Sequence, residues 1–210
     1  MFASRPWSRN EVRHAPPLSR TATMGVHVSA IKSTLRQHFL ARRGGISASD
    51  RARRAWQACA YLRAAGLAER AKALVGYTAL GSEVDPSSAL RHVARLQRPI
   101  YRPDWRDGGR RFVTISGDCA LEGPGAGVVV LVPGVAFDTQ GVRLGRGEGW
   151  YDRILRDYPE AFKIGLAFEE QITSSLPAEP WDVPMDLVVT DQRVLHPRAA
   201  FGTQRGMVPT

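Results

Sequence analysis

The chain has 210 residues, 43% of them hydrophobic, and a net charge of +9. This length can bury one full core, and the composition excludes a wholly disordered chain, a collagen-like rod and a disulfide scaffold, because Cys59 and Cys119 are the only cysteines. No apolar run approaches the length of a membrane span, so we expect no contact with a membrane. The basic charge suits anionic partners without choosing among nucleotides, polycarboxylates and nucleic acid.

The first 28 residues differ in character from the rest of the chain. They carry prolines and scattered arginines without apolar periodicity, and Met24 lies just before the first predicted helix. We therefore expect residues 1–28 to be a disordered leader or the product of a start codon placed too early. An Arg-rich mitochondrial transit peptide is the alternative to a cytoplasmic location. Residues 29–197 are predicted to form one domain, and residues 198–210 a loose tail.

Helices and strands are predicted to alternate along the body. The first helix runs from Ser29 to about Arg43, and the second runs to about Ala65 with Trp56, Cys59, Ala60 and Leu62 as core contacts. The later elements, in chain order, are a strand at 73–80, a helix from Asp85-Pro86 to Leu96, strands at 99–102, 112–115 and 128–132, a helix at 150–157, a strand at 162–168, a helical turn at 169–175 and a strand at 187–190.

This alternation predicts an α/β fold. Strands separated by helices form a mostly parallel sheet, and such a sheet is covered by helices on both faces. The expected architecture is a Rossmann-like, three-layer single domain.

A glycine-rich loop follows the buried strand 128–132 and leads into the helix at 150. Its glycines alternate with Arg143 and Arg146. Such a backbone exposes N–H groups to phosphate oxygens, and the helix start and the guanidinium groups add positive charge. Ligands of parallel sheets bind at the carboxyl ends of strands, so we predict a phosphate site here. The alternative is a surface loop whose glycines only make turns. The spacing is neither that of a Walker loop nor that of a dinucleotide fingerprint.

Asp152 lies just inside the helix that follows the loop. It either stabilises the helix start or binds a magnesium ion that faces the phosphates. A second carboxylate ligand would come from another strand. Asp186 is the preferred candidate because it adjoins the last strand, and Asp182 and Asp191 compete with it.

Four segments together resemble the 5-formyltetrahydrofolate cyclo-ligase family (5,10-methenyltetrahydrofolate synthetase). The longest match spans residues 133–152. The segments, in chain order, are Lys32-x-x-x-Arg36, Glu83-Val84-Asp85, Pro133-Gly134-x-Ala136-Phe137-Asp138 with Gly141-x-Arg143-Leu144-Gly145-Arg146-Gly147-x-Gly149-Trp150-Tyr151-Asp152, and Ile164-Gly165-Leu166-Ala167-Phe168-Glu169-x-Gln171 with Asp182-Val183-Pro184-Met185-Asp186-x-Val188-Val189-Thr190. The resemblance covers about residues 29–192.

The resemblance implies an enzyme that converts 5-formyltetrahydrofolate to 5,10-methenyltetrahydrofolate with MgATP. In this family the formyl oxygen is phosphorylated, the other folate nitrogen attacks the activated carbon, and phosphate leaves together with ADP. The implied cofactors are ATP and Mg²⁺, and the implied partner is a reduced folate. We expect a cytoplasmic monomer without a nucleic-acid partner.

The resemblance also assigns roles to individual residues. ATP is expected to bind Lys32, Arg36, Arg143, Leu144, Gly145, Arg146, Gly147, Glu148, Gly149, Trp150 and Tyr151. The folate is expected to bind Thr78, Glu83, Arg146, Gly147, Glu148, Gly149 and Trp150. Arg146 and Tyr151 are the expected catalytic residues, and Asp152 and Asp186 are the expected magnesium ligands. Trp105 either stacks on the pterin or fills a hydrophobic gap.

Two other classes of function remain open at this stage. A nucleic-acid-binding protein agrees with the basic charge, but the sequence has no RNP pattern, zinc finger or KH loop. A non-catalytic binder of nucleotide or folate with the same fold would not require the metal carboxylates.

Overall fold

The computed structural model describes residues 20–106 and 110–197. Most of the predicted leader and the predicted C-terminal tail therefore lie outside the described residues. Within them the chain forms a large sheet, a small sheet and five α-helices.

The helices largely follow the predicted order. Their bounds are α1 Arg20–Gly44, α2 Ala48–Ala64, α3 Leu67–Arg70, α4 Ser87–Arg95 and α5 Trp150–Asp157. The first helix begins at Arg20 and not at the predicted Ser29. No proline lies between Pro17 and Ser29, so nothing requires the helix to stop there. Ser47 caps the start of helix α2, because its side chain accepts a hydrogen bond from the Asp50 N–H.

Ten strands form the two sheets. Their bounds are β1 Ala73–Val75, β2 Ile100–Asp104, β3 Arg111–Thr114, β4 Val128–Pro133, β5 Ala136–Asp138, β6 Arg143–Leu144, β7 Phe162–Leu166, β8 Ile172–Thr173, β9 Leu187–Val189 and β10 Val194–Leu195. The large sheet has the order β10-β9-β7-β4-β1-β2-β3, and the small sheet has the order β6-β5-β8. Strands β9, β7, β4, β1 and β2 run parallel to one another, and the outer strands β10 and β3 run antiparallel to β9 and β2. The predicted mostly parallel sheet is confirmed.

Helices cover both faces of the large sheet. On one face, Leu74 and Leu131 belong to a buried cluster with Leu62 of α2. On the other face, Val130 and Val132 cluster with Ile154 of α5. Alternate residues of each strand point to opposite faces of the sheet, so one core forms on each face. The sheet and the helices that cover its two faces are the three layers that the sequence predicts.

Several details differ from the prediction. The first strand ends at Val75, and the residues up to Leu80 leave the sheet. Trp56 was predicted in the core but is 59% exposed, whereas Cys59 and Leu62 are buried as predicted. The glycine-rich loop contains the short strands β5 and β6, and α3, β8 and β10 were not predicted.

The topology places several chain segments at one edge of the large sheet. The parallel strands β1, β4 and β7 end there, and α5 begins there after the loop that follows β4. Helix α1 packs on the small sheet through Phe39, which clusters with Ala136 and Leu144. This packing sets the middle of α1 beside the glycine-rich loop.

Candidate active site

A cavity of about 590 Å³ opens at the carboxyl edge of the large sheet. Every residue predicted to bind ATP or folate lines it, and Asp152 lines it as well. These residues are Lys32, Arg36, Thr78, Glu83 and the continuous run from Arg143 to Asp152. The structure therefore brings the N-terminal helix, the segment after β1 and the glycine-rich loop to one site.

Two glycines of the loop fit closely against cationic side chains. Gly147 has φ +113°, and a Cβ atom there would lie 3.5 Å from the Arg36 guanidinium carbon. A Cβ atom on Gly145 would lie 2.8 Å from Nη1 of Arg143. The loop thus needs glycine for a left-handed turn at one position and for close approach at the other.

Helix α1 supplies two cations to one end of the cavity. Arg36 Nε donates to the Gly145 carbonyl oxygen at 2.8 Å. Lys32 is buried, and its Nζ donates to Glu179 Oε2 at 2.7 Å and to Asp182 Oδ2 at 2.6 Å. We call these two helix residues and the two carboxylates the lysine end of the cavity.

Arg143 and Asp152 form a largely buried ion pair at the start of α5. Arg143 Nη2 donates to Asp152 Oδ2 at 2.7 Å, and Asp152 Oδ1 accepts from the Val183 N–H at 3.2 Å. Arg143 Nε has no hydrogen-bond partner within residues 20–106 and 110–197. A buried guanidinium with a free N–H indicates a missing acceptor, and carboxylate and phosphate oxygens are the acceptors that a guanidinium binds strongly.

Glu83 and Arg146 form another ion pair in the cavity. Glu83 Oε1 accepts from Arg146 Nη2 at 2.8 Å and from Nε at 3.1 Å, and its Oε2 accepts from the Leu80 N–H at 3.0 Å. The Glu83 side chain is buried while that of Arg146 is 49% exposed. Thr78, which was predicted to bind folate, also lines this cavity. We call this region the glutamate end.

A buried arginine that sequence reasoning missed supports the glutamate end. Arg43, near the end of α1, donates from Nε to Ser82 Oγ at 3.0 Å and from Nη1 to the Gly134 carbonyl oxygen at 2.9 Å. Burial lowers the pKa of Arg43, but an arginine starts so high that the group stays charged. The position next to a helix-ending glycine pair gave no signal of this role.

Aromatic rings form one wall of the cavity. Trp105 makes edge contacts with Trp150 at 5.1 Å and with Tyr151 at 5.5 Å between ring centroids. The Arg143 guanidinium carbon lies 5.6 Å from the Tyr151 ring centroid. Burial raises the pKa of the Tyr151 hydroxyl well above its usual value, so Tyr151 is a neutral phenol at physiological pH. Trp105 packs, partly buried, against the core cluster that contains Val130, and it also lines the cavity.

The structure does not bring Asp186 to the predicted magnesium site. Asp186 is not among the residues that line the cavity. Its Oδ2 accepts from the Lys163 N–H at 2.7 Å and from Lys163 Nζ at 3.3 Å. The physical reason is strand direction: Asp186 precedes β9, so it lies at the amino end of a parallel strand, whereas the cavity lies at the carboxyl edge. Asp182, one of its competitors, does line the cavity, and Asp191 instead pairs with Arg54 at 2.6 Å.

Sequence reasoning also missed Glu179, Trp181 and Arg102, which line the cavity. Glu148, predicted to bind ATP and folate, lines it with an exposed side chain. Within the described parts of the chain, no cluster of three or more His, Cys, Asp or Glu side chains could hold a metal ion. None of the described helices is long and apolar enough to span a membrane.

The fold and the site together define a class: a three-layer α/β protein with a glycine-rich loop that lines a cavity at the carboxyl edge of a parallel sheet. Residues 28–191 match the sequence profile of the 5-formyltetrahydrofolate cyclo-ligase family. The chain belongs to this family, and the resemblance seen in the sequence is confirmed.

Individual relatives agree with the family. A 5-formyltetrahydrofolate cyclo-ligase of Escherichia coli (strain K12) is 43% identical over 31% of this chain, and the match spans only 37% of that protein. A probable 5-formyltetrahydrofolate cyclo-ligase of Caenorhabditis elegans is 24% identical over 77% of this chain and 93% of that protein.

Two solved structures share the fold. The chain is similar to the 5,10-methenyltetrahydrofolate synthetase of Aquifex aeolicus, with a TM-score of 0.65 and 26% identity over 84% of this chain and 98% of that one. It is also similar to the 5,10-methenyltetrahydrofolate synthetase of Mycoplasma pneumoniae, with a TM-score of 0.66 and 26% identity over 76% of this chain and 98% of that one. The predicted fold class is confirmed.

Proposed function

We propose that this protein converts 5-formyltetrahydrofolate to 5,10-methenyltetrahydrofolate and hydrolyses ATP to ADP and phosphate. The observation that carries the proposal is a single cavity with a buried, partly unpaired Arg143 beside the glycine loop and a buried Glu83 carboxylate at the glutamate end. One end suits a polyphosphate, and the other suits a ring rich in N–H donors.

The nucleotide phosphates bind the loop and the lysine end. The free Nε of Arg143 donates to a phosphate oxygen, and Lys32 and Arg36 neutralise further charge. Phosphoryl transfer depends on positioning and on charge neutralisation more than on a protein nucleophile, and these groups supply both.

The pterin ring binds at Glu83, whose carboxylate accepts hydrogen bonds from amino and ring N–H donors. Arg146 pairs with Glu83 and is half exposed, so its guanidinium can turn to the oxygen atoms between formyl group and phosphate. There it stabilises the negative charge that develops as the formyl oxygen is phosphorylated. Tyr151 acts as a hydrogen-bond donor, because its raised pKa keeps the hydroxyl proton in place. The second folate nitrogen then closes the ring and phosphate leaves.

Magnesium fits the carboxylates that face the phosphates. Asp152 and Asp182 both line the cavity, and the Asp152 carboxylate accepts from the N–H of Val183, the residue after Asp182. Mg²⁺ needs only one or two protein carboxylates when phosphate oxygens and water complete its shell. We assign Asp152 and Asp182 as the protein ligands of Mg²⁺, which would neutralise the charge of the phosphates.

The test is a spectroscopic assay with purified protein, 5-formyltetrahydrofolate and MgATP. We expect methenyl absorbance to appear and one ADP to form for each product. Folded protein that produces no change in the spectrum would contradict the proposal. The family membership does not favour the alternative, a non-catalytic or RNA-binding protein of the same fold. A cytoplasmic location and a monomeric state stay predictions.

A further inference from the structure

One cation of the cavity has no protein partner. Five basic side chains line the cavity, and four of them bond to a carboxylate or a carbonyl oxygen: Lys32, Arg36, Arg143 and Arg146. Within the ranges that the structure describes, the fifth, Arg102, makes no hydrogen bond or ion pair through its side chain. An arginine that lines a cavity and has no carboxylate partner among the described residues is available to an anionic ligand.

The carboxylate nearest to Arg102 in the sequence is bound to other arginines. Asp104 Oδ1 accepts from Arg106 Nε at 2.9 Å, and Arg111 Nε lies 3.7 Å from its Oδ2. The hydrogen bond from Arg106 lowers the pKa of Asp104, which is therefore a carboxylate at neutral pH. Two arginines thus hold Asp104 and leave the Arg102 charge uncompensated.

Arg102 lies on a different strand from the one that leads into the glycine-rich loop. It lies on β2, which is separated from β4 by β1 in the sheet order. Its Nη2 lies 3.8 Å from the position that a Cβ atom on Gly117 would take, so the guanidinium lies beside the β3–β4 connection. Lys32 and Arg36 instead bond to Glu179, Asp182 and Gly145. The position of Arg102 favours a ligand group other than the phosphates.

We infer that Arg102 binds a carboxylate of the glutamate tail of the folate substrate. This inference rests on the proposed function. A reduced folate is a pterin joined through an aminobenzoyl ring to glutamate, so it carries an anionic end far from the pterin. Trp105, three residues after Arg102, also lines the cavity and contacts Trp150, so aromatic rings are available to the aminobenzoyl part of the folate. A guanidinium can bind a carboxylate through two parallel hydrogen bonds, so Arg102 is expected to increase the affinity for a substrate that carries the glutamate.

The experiment compares two substrates in two proteins. The substrates are 5-formyltetrahydrofolate and 5-formyltetrahydropteroate, which lacks the glutamate. For Arg102→Gln we expect the KM of the intact folate to rise about tenfold, the scale for a lost charged hydrogen bond, with kcat and the KM of MgATP unchanged. The truncated substrate should show equal KM values in wild type and variant, because it lacks the group that Arg102 binds.

Arg98→Gln is the matched control. Arg98 is exposed and is not among the residues that line the cavity, and its loss changes the net charge by the same amount. We expect Arg98→Gln to leave every KM unchanged. Arg102→Lys should keep part of the affinity for the intact folate, since it retains the charge and loses the paired geometry. Thermal denaturation of each variant establishes that it is folded.

The outcomes separate the inference from the proposed function. Equal rises in KM for both substrates, or a rise in the KM of MgATP, would overturn the role of Arg102. If wild type binds 5-formyltetrahydrofolate in calorimetry without turnover, the proposed function fails. The dissociation constants of the two substrates for wild type and Arg102→Gln, measured by calorimetry, then decide the inference in place of the KM values. If wild type binds no folate, both are overturned.

Discussion

Arg146 and Glu83 are 63 residues apart in the chain and meet in the cavity with 2.8 Å between Nη2 and Oε1. The same pattern recurs at Arg143 with Asp152 and at Lys32 with its two carboxylates. Three of the cations that line the cavity are therefore held by carboxylates. In the proposed function, phosphates and folate compete with these carboxylates for the cations, and a divalent cation can bind the carboxylates that are displaced.

Arg146, the exposed member of the pair with Glu83, gives a direct prediction. Arg146→Ala should lower kcat/KM about 10²- to 10³-fold, the cost of losing one donor that stabilises the transition state. Steady-state kinetics measures it, and Arg156→Ala, an exposed arginine of α5 that does not line the cavity, is the control. A loss below about tenfold would remove Arg146 from the reaction.

The proposed magnesium site includes Asp152 and excludes Asp186, so the two aspartates are predicted to respond differently to substitution. Asp152→Asn should raise the Mg²⁺ concentration for half-maximal rate by about tenfold, because the ion loses an anionic ligand. Asp186→Asn should leave that concentration unchanged and lower the thermal midpoint, because it weakens the contacts with Lys163. Magnesium titration of the rate and a thermal melt without nucleotide test both. Equal magnesium dependence in both variants would contradict the assignment.

The buried lysine is predicted to act on the nucleotide alone. Lys32→Met removes a phosphate ligand and leaves Glu179 and Asp182 to repel the incoming phosphates. We expect the KM of MgATP to rise by about tenfold or more while the KM of the folate stays constant. Lys72→Met, an exposed lysine outside the cavity lining, provides the comparison. A parallel rise in both KM values would show that Lys32 supports the whole site.

A carboxylate network outside the site predicts acid sensitivity. Arg54 Nη1 donates to Glu170 at 2.7 Å, and this hydrogen bond lowers the pKa of Glu170 from its usual 4.5. A lowered folded-state pKa contributes stability that is complete above pH 4.5 and is lost as the pH falls through the lowered value.

Thermal midpoints of wild type and Arg54→Leu between about pH 3 and 6 test this network. The variant should be less stable at pH 6, and its midpoint should fall less on acidification. Arg95→Ala, an exposed residue of α4, should follow wild type. Parallel curves for wild type and Arg54→Leu would contradict the prediction.

Local sequence patterns were enough to predict most of the helices and strands. Helix α5 has its predicted bounds, Trp150–Asp157, because a glycine precedes it and its apolar residues fall on one face. The strand after Ala73 was predicted too long, since the apolar run to Leu80 resembles a strand. In the structure a Cβ atom on Gly76 would lie 2.5 Å from Leu90 of α4, and the chain departs from the sheet there. Such a contact between distant segments has no local signature.

The candidate site also has parts that local sequence predicts and parts that depend on contacts between distant segments. The loop from Arg143 to Asp152 was predicted because its glycines and arginines lie close together in the sequence. The carboxylate partners of Lys32 were missed because Asp182 is 150 residues away, and only the folded chain joins them. Asp186 was chosen for its adjacency to a strand, but a residue before a parallel strand lies at the edge opposite the ligand.

The buried Arg43 has a mechanical consequence. Its guanidinium fastens helix α1 to the turn at Ser82 and to the backbone at Gly134. The same helix carries Lys32 and Arg36, and the same turn carries Glu83. If a nucleotide and a pterin bind as proposed, a tilt of α1 on nucleotide binding would move the turn that carries Glu83, and Arg43 would couple the occupancy of the two parts of the cavity.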